Sequence, residues 1–134
     1  MTATLTAQDK QTVRTAAYGA VSLISAADAA GGSPHKAATA GSIALGSATG
    51  LVGHILAEKS TGVRLDSKSV AALADQVLPA LTAAMTLLCA HSPSEAANFR
   101  TTVLVAIEAA THKTGPTPTV TDMTRKITAA LDAA

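Results

Sequence analysis

Apolar positions recur along this chain at intervals of three and four residues, in blocks separated by glycine- and proline-bearing breaks. That spacing predicts an all-α protein. The first block runs from about Ala7 to Ala30, with Val13, Ala17, Ala20, Val21, Ile24 and Ala27 on one stripe. Gly31-Gly32 closes it by offering a left-handed cap position. Ser33 as N-cap and Pro34 at the first helical position open a second helix, expected to reach about Lys59 and to be terminated by Gly62. Asp66 is the candidate N-cap of a third, which turns Val70, Leu73, Val77, Leu81, Ala84 and Leu88 inward and closes at His91. Pro79 falls inside it and predicts a kink or a division into two shorter helices. Ser92-Pro93-Ser94-Glu95 is the clearest local signal, a capping box with proline at the first helical position. It opens a fourth helix to about His112, with Phe99, Val103, Ala106, Ile107 and Ala110 inward and Glu108 outward. A loop over Lys113 to Pro118 follows. Thr119 and Asp122 make a second, weaker capping box for a fifth helix carrying Val120, Met123, Ile127 and Leu131. No segment alternates as a strand does. The expectation is one domain over 1–134, a bundle of about five helices with short loops and a frayed 1–6.

The stretch Ala37 to Ala57 has no charge and is apolar or small on every side, so it is expected to be the central helix of the bundle. Gly46 and Gly50 form a small-xxx-small pair, extended by Gly41 and Gly53. Each glycine in a helix interior costs about 1 kcal/mol relative to alanine. Four of them therefore imply a neighbouring backbone packed close, or else a helix broken near Gly50 or Gly53. Gly46, Gly50 and Gly53 are the candidate packing or interaction face. The stretch has the length of a membrane span and a GxxxG spacing. Yet its large aliphatics are only Ile43, Leu45, Leu51, Ile55 and Leu56, and it lacks aromatic anchors and a flanking Lys/Arg bias. The reading is a core helix, not a membrane helix.

Composition sharpens this picture in two ways. Alanine is the commonest residue and Tyr18 and Phe99 are the only aromatics, so helices should approach closely around a core of small side chains. The same aromatic poverty, with 10 Lys/Arg against 9 Asp/Glu, removes both the stacking platforms and the basic stripe of a nucleic-acid binder. Cys89 is the only cysteine, which excludes an intramolecular disulfide and fits a cytoplasmic protein. Lys10 and Arg14 ahead of the apolar run Ala16–Ala27 have the outline of a signal peptide, but the run carries a helical face that a core would use.

Candidate chemistry is sparse. His54 lies in the apolar central stretch and reads as a core or edge histidine bonded to a carbonyl. His91 and His112 sit at helix C-termini, where the dipole favours partial charge, and His35 sits in a first turn. No HxxxH spacing marks a zinc site, and no phosphate-binding glycine loop occurs. Cys89, between Leu88 and Ala90, reads as a buried inert thiol: His91, two residues on, points to another side of the helix. Asp28 is misplaced electrostatically at a helix C-terminus, which makes it a candidate ligand. No catalytic residue and no cofactor are expected.

Two resemblances add to this. The runs Ala16-Ala17-Tyr18-Gly19-Ala20-Val21-Ser22-Leu23 and Asn98-Phe99-Arg100-Thr101-Thr102-Val103-Leu104 look like a family of small helical proteins from actinobacteria, a likeness that covers nearly the whole chain. That family has no established function, so the resemblance implies a fold and no activity. The order helix, Ala-Ala-Asp, glycine turn, helix is also similar to the TerB-like fold of tellurite resistance, whose acidic turn residues are thought to bind divalent metal. Asp28 matches that pattern. Lys36 lies where the first half wants an acid, Thr111 replaces the second Asp, and Asp122 is a displaced remnant, so the implied metal site is degenerate. The leading functional expectation is a non-enzymatic helical module that binds a protein partner or itself. The alternative is a metal- or small-ligand-binding TerB-like domain with Asp28, His35 and His112 as ligands.

Overall fold

A computed structural model describes residues 5–27, 34–58, 65, 68–111 and 117–134, the side chains of 34–38 excepted. Every regular element among them is an α-helix: α1 (Ala7–Ala27), α2 (Pro34–Gly46), α3 (Gly50–Ala57), α4 (Val70–His91), α5 (Pro93–Thr111) and α6 (Pro118–Asp132). The all-α expectation holds, but with six helices in place of five, because the 37–57 stretch is two helices and not one.

The centre of the bundle is α1, which touches all five other helices. It can be surrounded because its middle is made of small residues: Ala16, Ala17 and Ala20 are fully buried among Val13, Leu23 and Ile24. A helix thinned in this way admits neighbours on several sides at once. Its most extensive partner is α4. At their crossing an ideal Cβ on Gly19 would lie 2.5 Å from Val77 Cγ2, so glycine is what lets the two helices close. Gly41 does the same for α2, where an added Cβ would sit 2.7 Å from Val21 Cγ1 and 3.4 Å from the Ala106 carbonyl oxygen of α5.

The inward stripes predicted for α5 and α6 are all buried: Phe99, Val103, Ala106, Ile107 and Ala110, then Val120, Met123, Ile127 and Leu131. On α4 the stripe from Leu73 to Leu88 is buried, whereas Val70 is exposed in the first turn. That helix starts four residues later than Asp66, with Ser69 as N-cap accepting a bond from the Ala72 N–H at 3.0 Å. It runs unbroken through Pro79, which is exposed, so the two-helix alternative there does not apply. At α6 the cap is Thr117, accepting from the Val120 N–H at 3.2 Å, with Pro118 at the first helical position in place of the Thr119–Asp122 box.

Two polar ties fix α6. Thr82 Oγ1 of α4 donates to the Ala130 carbonyl at 2.6 Å. Arg100 of α5 holds Asp132 in a fork, Nε to Oδ1 at 2.8 Å and Nη2 to Oδ2 at 3.3 Å. The hydrogen bond from Arg100 keeps the Asp132 carboxyl below its usual range.

Candidate functional site

Of the glycines in the 37–57 stretch, Gly41 serves a helix–helix contact, while Gly46, Gly50 and Gly53 lie around a helix break. Helix α2 ends at Gly46, and the Ser47 and Ala48 N–H groups bond back to the Ala44 and Leu45 carbonyls at 3.1 and 3.2 Å, the tightened last turn common at helix ends. Thr49 is extended, and Gly50 opens α3 with φ +70°, a conformation that L side chains rarely adopt. Gly46 is exposed with nothing within 4 Å of an added Cβ, so no neighbour presses on it. Gly53 is filled by its own chain, since a Cβ there would collide with the Ala48 carbonyl. The atoms nearest Gly53 belong to its own chain segment and Gly46 has open space beside it, whereas Gly50 faces Glu95 and Asn98 of α5. Gly46→Ala is accordingly expected to stabilise by about 0.5 kcal/mol through helix propensity and a less flexible unfolded chain. Chemical denaturation checks this; a loss above 1 kcal/mol would show an unseen neighbour.

The break creates a helix end that has to be capped, and the cap comes from another helix. Thr49 makes no side-chain cap bond. Instead the Leu51 N–H donates to Glu95 Oε1 and the Val52 N–H to Glu95 Oε2, each at 3.3 Å, while Asn98 Nδ2 donates to the Thr49 carbonyl at 2.9 Å. A carboxylate at a helix N-terminus is favoured by the orphan donors and by the dipole. The expected Ser92–Glu95 capping box is thereby corrected. The Glu95 side chain caps α3, and the Ser92 N–H bonds to the Leu88 carbonyl at 2.7 Å. At the other end of α3, Tyr18 Oη of α1 donates to the Leu56 carbonyl at 2.9 Å. Val52, Ile55 and Leu56 are buried between these clamps.

Of the core and edge positions expected for His54, the structure shows the outer one: its side chain is 78% exposed, and its Nε2 lies 4.0 Å from Glu58 Oε1, one turn on, not on a carbonyl. Cys89 is also exposed, correcting its reading as a buried thiol. Cys89 follows Leu88 and lies off the stripe of α4 that packs inward. Glu108 is exposed as expected. Of the candidate metal ligands, Asp28, His112 and the side chain of His35 lie outside the described residues. Among those described, no three His, Cys, Asp or Glu groups converge on a metal-sized site.

The surface that stands out is the outer side of α4. Among the described residues this is the one helix long and apolar enough to cross a membrane, the 37–57 stretch being divided into two shorter helices, yet only 28% of its most apolar window is buried. Its covered side faces α1, α5 and α6. The opposite side is the row Ala71, Asp75, Pro79, Ala83, Thr86 and Ala90, all exposed. That row spans roughly 30 Å at the helical rise. Toward its C-terminal end the surface dips into a shallow apolar recess edged by Met85, Cys89 and Ala96. Sequence reading missed this face because it had assigned the unusual apolarity to 37–57. Compared with protein-family models, curated proteins and solved structures, the chain matches none.

Proposed function

We propose that this protein is a non-enzymatic helical module of the cytoplasm that acts by binding a protein partner, a second copy of this chain included. The observation that carries the reading is α4. A helix apolar all round is ordinarily enclosed, by a protein core or by lipid. Here only 28% of its most apolar window is buried, and a small-residue row with a single charge, Asp75, is left outward. Small residues on an exposed helix suit a facing helix, because they let the two backbones approach. The polar groups that the structure brings together are used largely on helix ends and ion pairs: Glu95 and Asn98 at one end of α3, Tyr18 at the other, Arg100 on Asp132.

The test is Ala83→Arg, which sets a large cation in the middle of the outer row. Stability is expected to change by no more than about 0.5 kcal/mol, as for exposed positions generally. A photo-crosslinker at Ala90 in the protein's own cells is expected to trap a protein, and Ala83→Arg to abolish that adduct. A crosslinker at exposed Glu108 serves as the control. Equal trapping at Ala90 and Glu108, or no effect of Ala83→Arg, would refute the reading.

A further inference from the structure

A second feature lies between the C-terminal half of α5 and the first half of α6. There the surface dips into a recess of about 350 Å³, a size at the lower end for small-molecule clefts. Its apolar part is Ile107 and Val120, both buried, with Leu104 half-buried beside them. Its polar part is Glu108 and Thr111 of α5 and Thr121 and Thr124 of α6. It shares no residue with the outer side of α4.

The polar atoms call for one kind of ligand. The Thr111 hydroxyl spends its proton on the Ile107 carbonyl at 3.0 Å, and the Thr124 hydroxyl donates to the Val120 carbonyl at 2.8 Å. Each is left with oxygen lone pairs to offer. Glu108 is exposed, and among the described residues its carboxylate pairs with no cation. An ionised carboxylate also only accepts. Among the described residues no lysine, arginine or histidine lines the recess, and Thr121, exposed at the edge, is the one side chain there whose O–H is not already bonded. The C-terminus of α5 favours a cation and the N-terminus of α6 an anion, so the two helix ends offset one another and Glu108 sets the sign. An apolar trough edged by acceptors and one unpaired negative charge is complementary to a ligand with N–H donors, a positive charge and a short hydrocarbon body. An alcohol would leave the charge unanswered, and a carboxylate would be repelled by it.

We propose that this recess is a binding site for a small amphipathic amine, its ammonium group on Glu108 and its hydrocarbon body against Ile107 and Val120. Thr124 Oγ1 is a further acceptor for the ammonium N–H groups. The site is independent of the α4 face, and neither depends on the other. Glu108→Gln keeps the shape and removes the charge, and is expected to weaken amine binding at least about threefold, as for a partly solvated ion pair. It should leave the binding of an uncharged ligand of the same length unchanged.

The measurement is a titration of the full chain with hexylammonium chloride at neutral pH and constant ionic strength, following methyl resonances by NMR. Hexanol and sodium hexanoate, with the same chain and different heads, are titrated in parallel. A saturable shift of the Ile107, Val120 and Thr124 methyls with hexylammonium, the Val77 methyls staying still, is the expected result. Hexanol should bind more weakly than hexylammonium and hexanoate more weakly again, and Glu108→Gln should erase the preference of hexylammonium over hexanol. A capped lysine carries the same charged head on a protein side chain, and hexylammonium is expected to bind more tightly than it. The reverse order would assign the site to a protein side chain and overturn the assignment to a free amine. No saturable shift with hexylammonium, or a preference over hexanol that survives Glu108→Gln, overturns the proposal. Should Glu108→Gln melt below wild type, Thr124→Val gives the same decision, by weakening hexylammonium and not hexanol.

Discussion

Gly19→Leu is expected to destabilise the protein by about 3 kcal/mol, the upper part of the range for overpacking a closed core. The residue sits in the middle of α1, where that helix crosses α4, and an added Cβ would already lie 2.5 Å from Val77 Cγ2. Val77 cannot give way easily. It is fully buried, and a β-branched side chain in a helix has one strongly preferred rotamer. Nor can α1 retreat, because every other helix touches it. The favourable helix propensity of leucine over glycine, under about 1 kcal/mol, opposes this but is smaller. Thermal unfolding should show a fall of roughly 10 °C for a chain of this size. The cause is isolated by a second change: Val77→Ala opens the space, so the double variant should be more stable than the sum of the two losses by at least about 1 kcal/mol. Additive losses would mean that the two helices are not in contact at this point.

The second large effect belongs to Gly50→Ala, expected to cost about 2 to 3 kcal/mol for two separable reasons. The first is backbone: φ is +70°, and an L side chain there costs roughly 1–2 kcal/mol. The second is the cap: the new Cβ would lie 2.7 Å from Glu95 Oε1 and push the carboxylate off the Leu51 and Val52 N–H groups. Glu95→Ala alone removes only the cap, worth about 1 to 2 kcal/mol as charge-assisted bonds at a helix N-terminus. On that background Gly50→Ala should cost only its backbone part. Amide exchange gives a local reading of the same event. The Leu51 and Val52 amides should exchange at least about tenfold faster in Glu95→Ala, whereas those of α6 should follow only the global change. Protection of Leu51 and Val52 left unchanged would show that Glu95 is not their partner.

Sequence by itself determined the helical class and most of the inward stripes. The spacing of Val13 through Ala27, Phe99 through Ala110 and Val120 through Leu131 places each set on one side of a helix, and each set is buried. These helices have a wet side as well as a dry one, so periodicity carries the answer. The same rule fails where composition is apolar all round. In 37–57 no polar side marks what faces water, and His54 there is exposed; Cys89, expected to be buried, stands on the outer side of α4. Only tertiary structure decided those.

It also decided which helix is central. The uncharged 37–57 stretch invited that role, but α1 occupies it, because Ala16, Ala17, Gly19 and Ala20 make it thin enough to be surrounded. The same distinction runs through the candidate sites. Ser92 and Glu95 stand three apart, a local spacing that signals a capping box, yet Glu95 is drawn to the bare N-terminus of α3, more than forty residues away in the chain. Arg14 of α1 and Glu58, bonded at 3.2 Å, are likewise 44 residues apart, and no local pattern pairs them. A sequence records which groups each helix carries and how its own ends can be closed by near neighbours. Which orphan donor meets which carboxylate across the bundle depends on where the helices come to rest, and that is fixed by the packing of small side chains around α1.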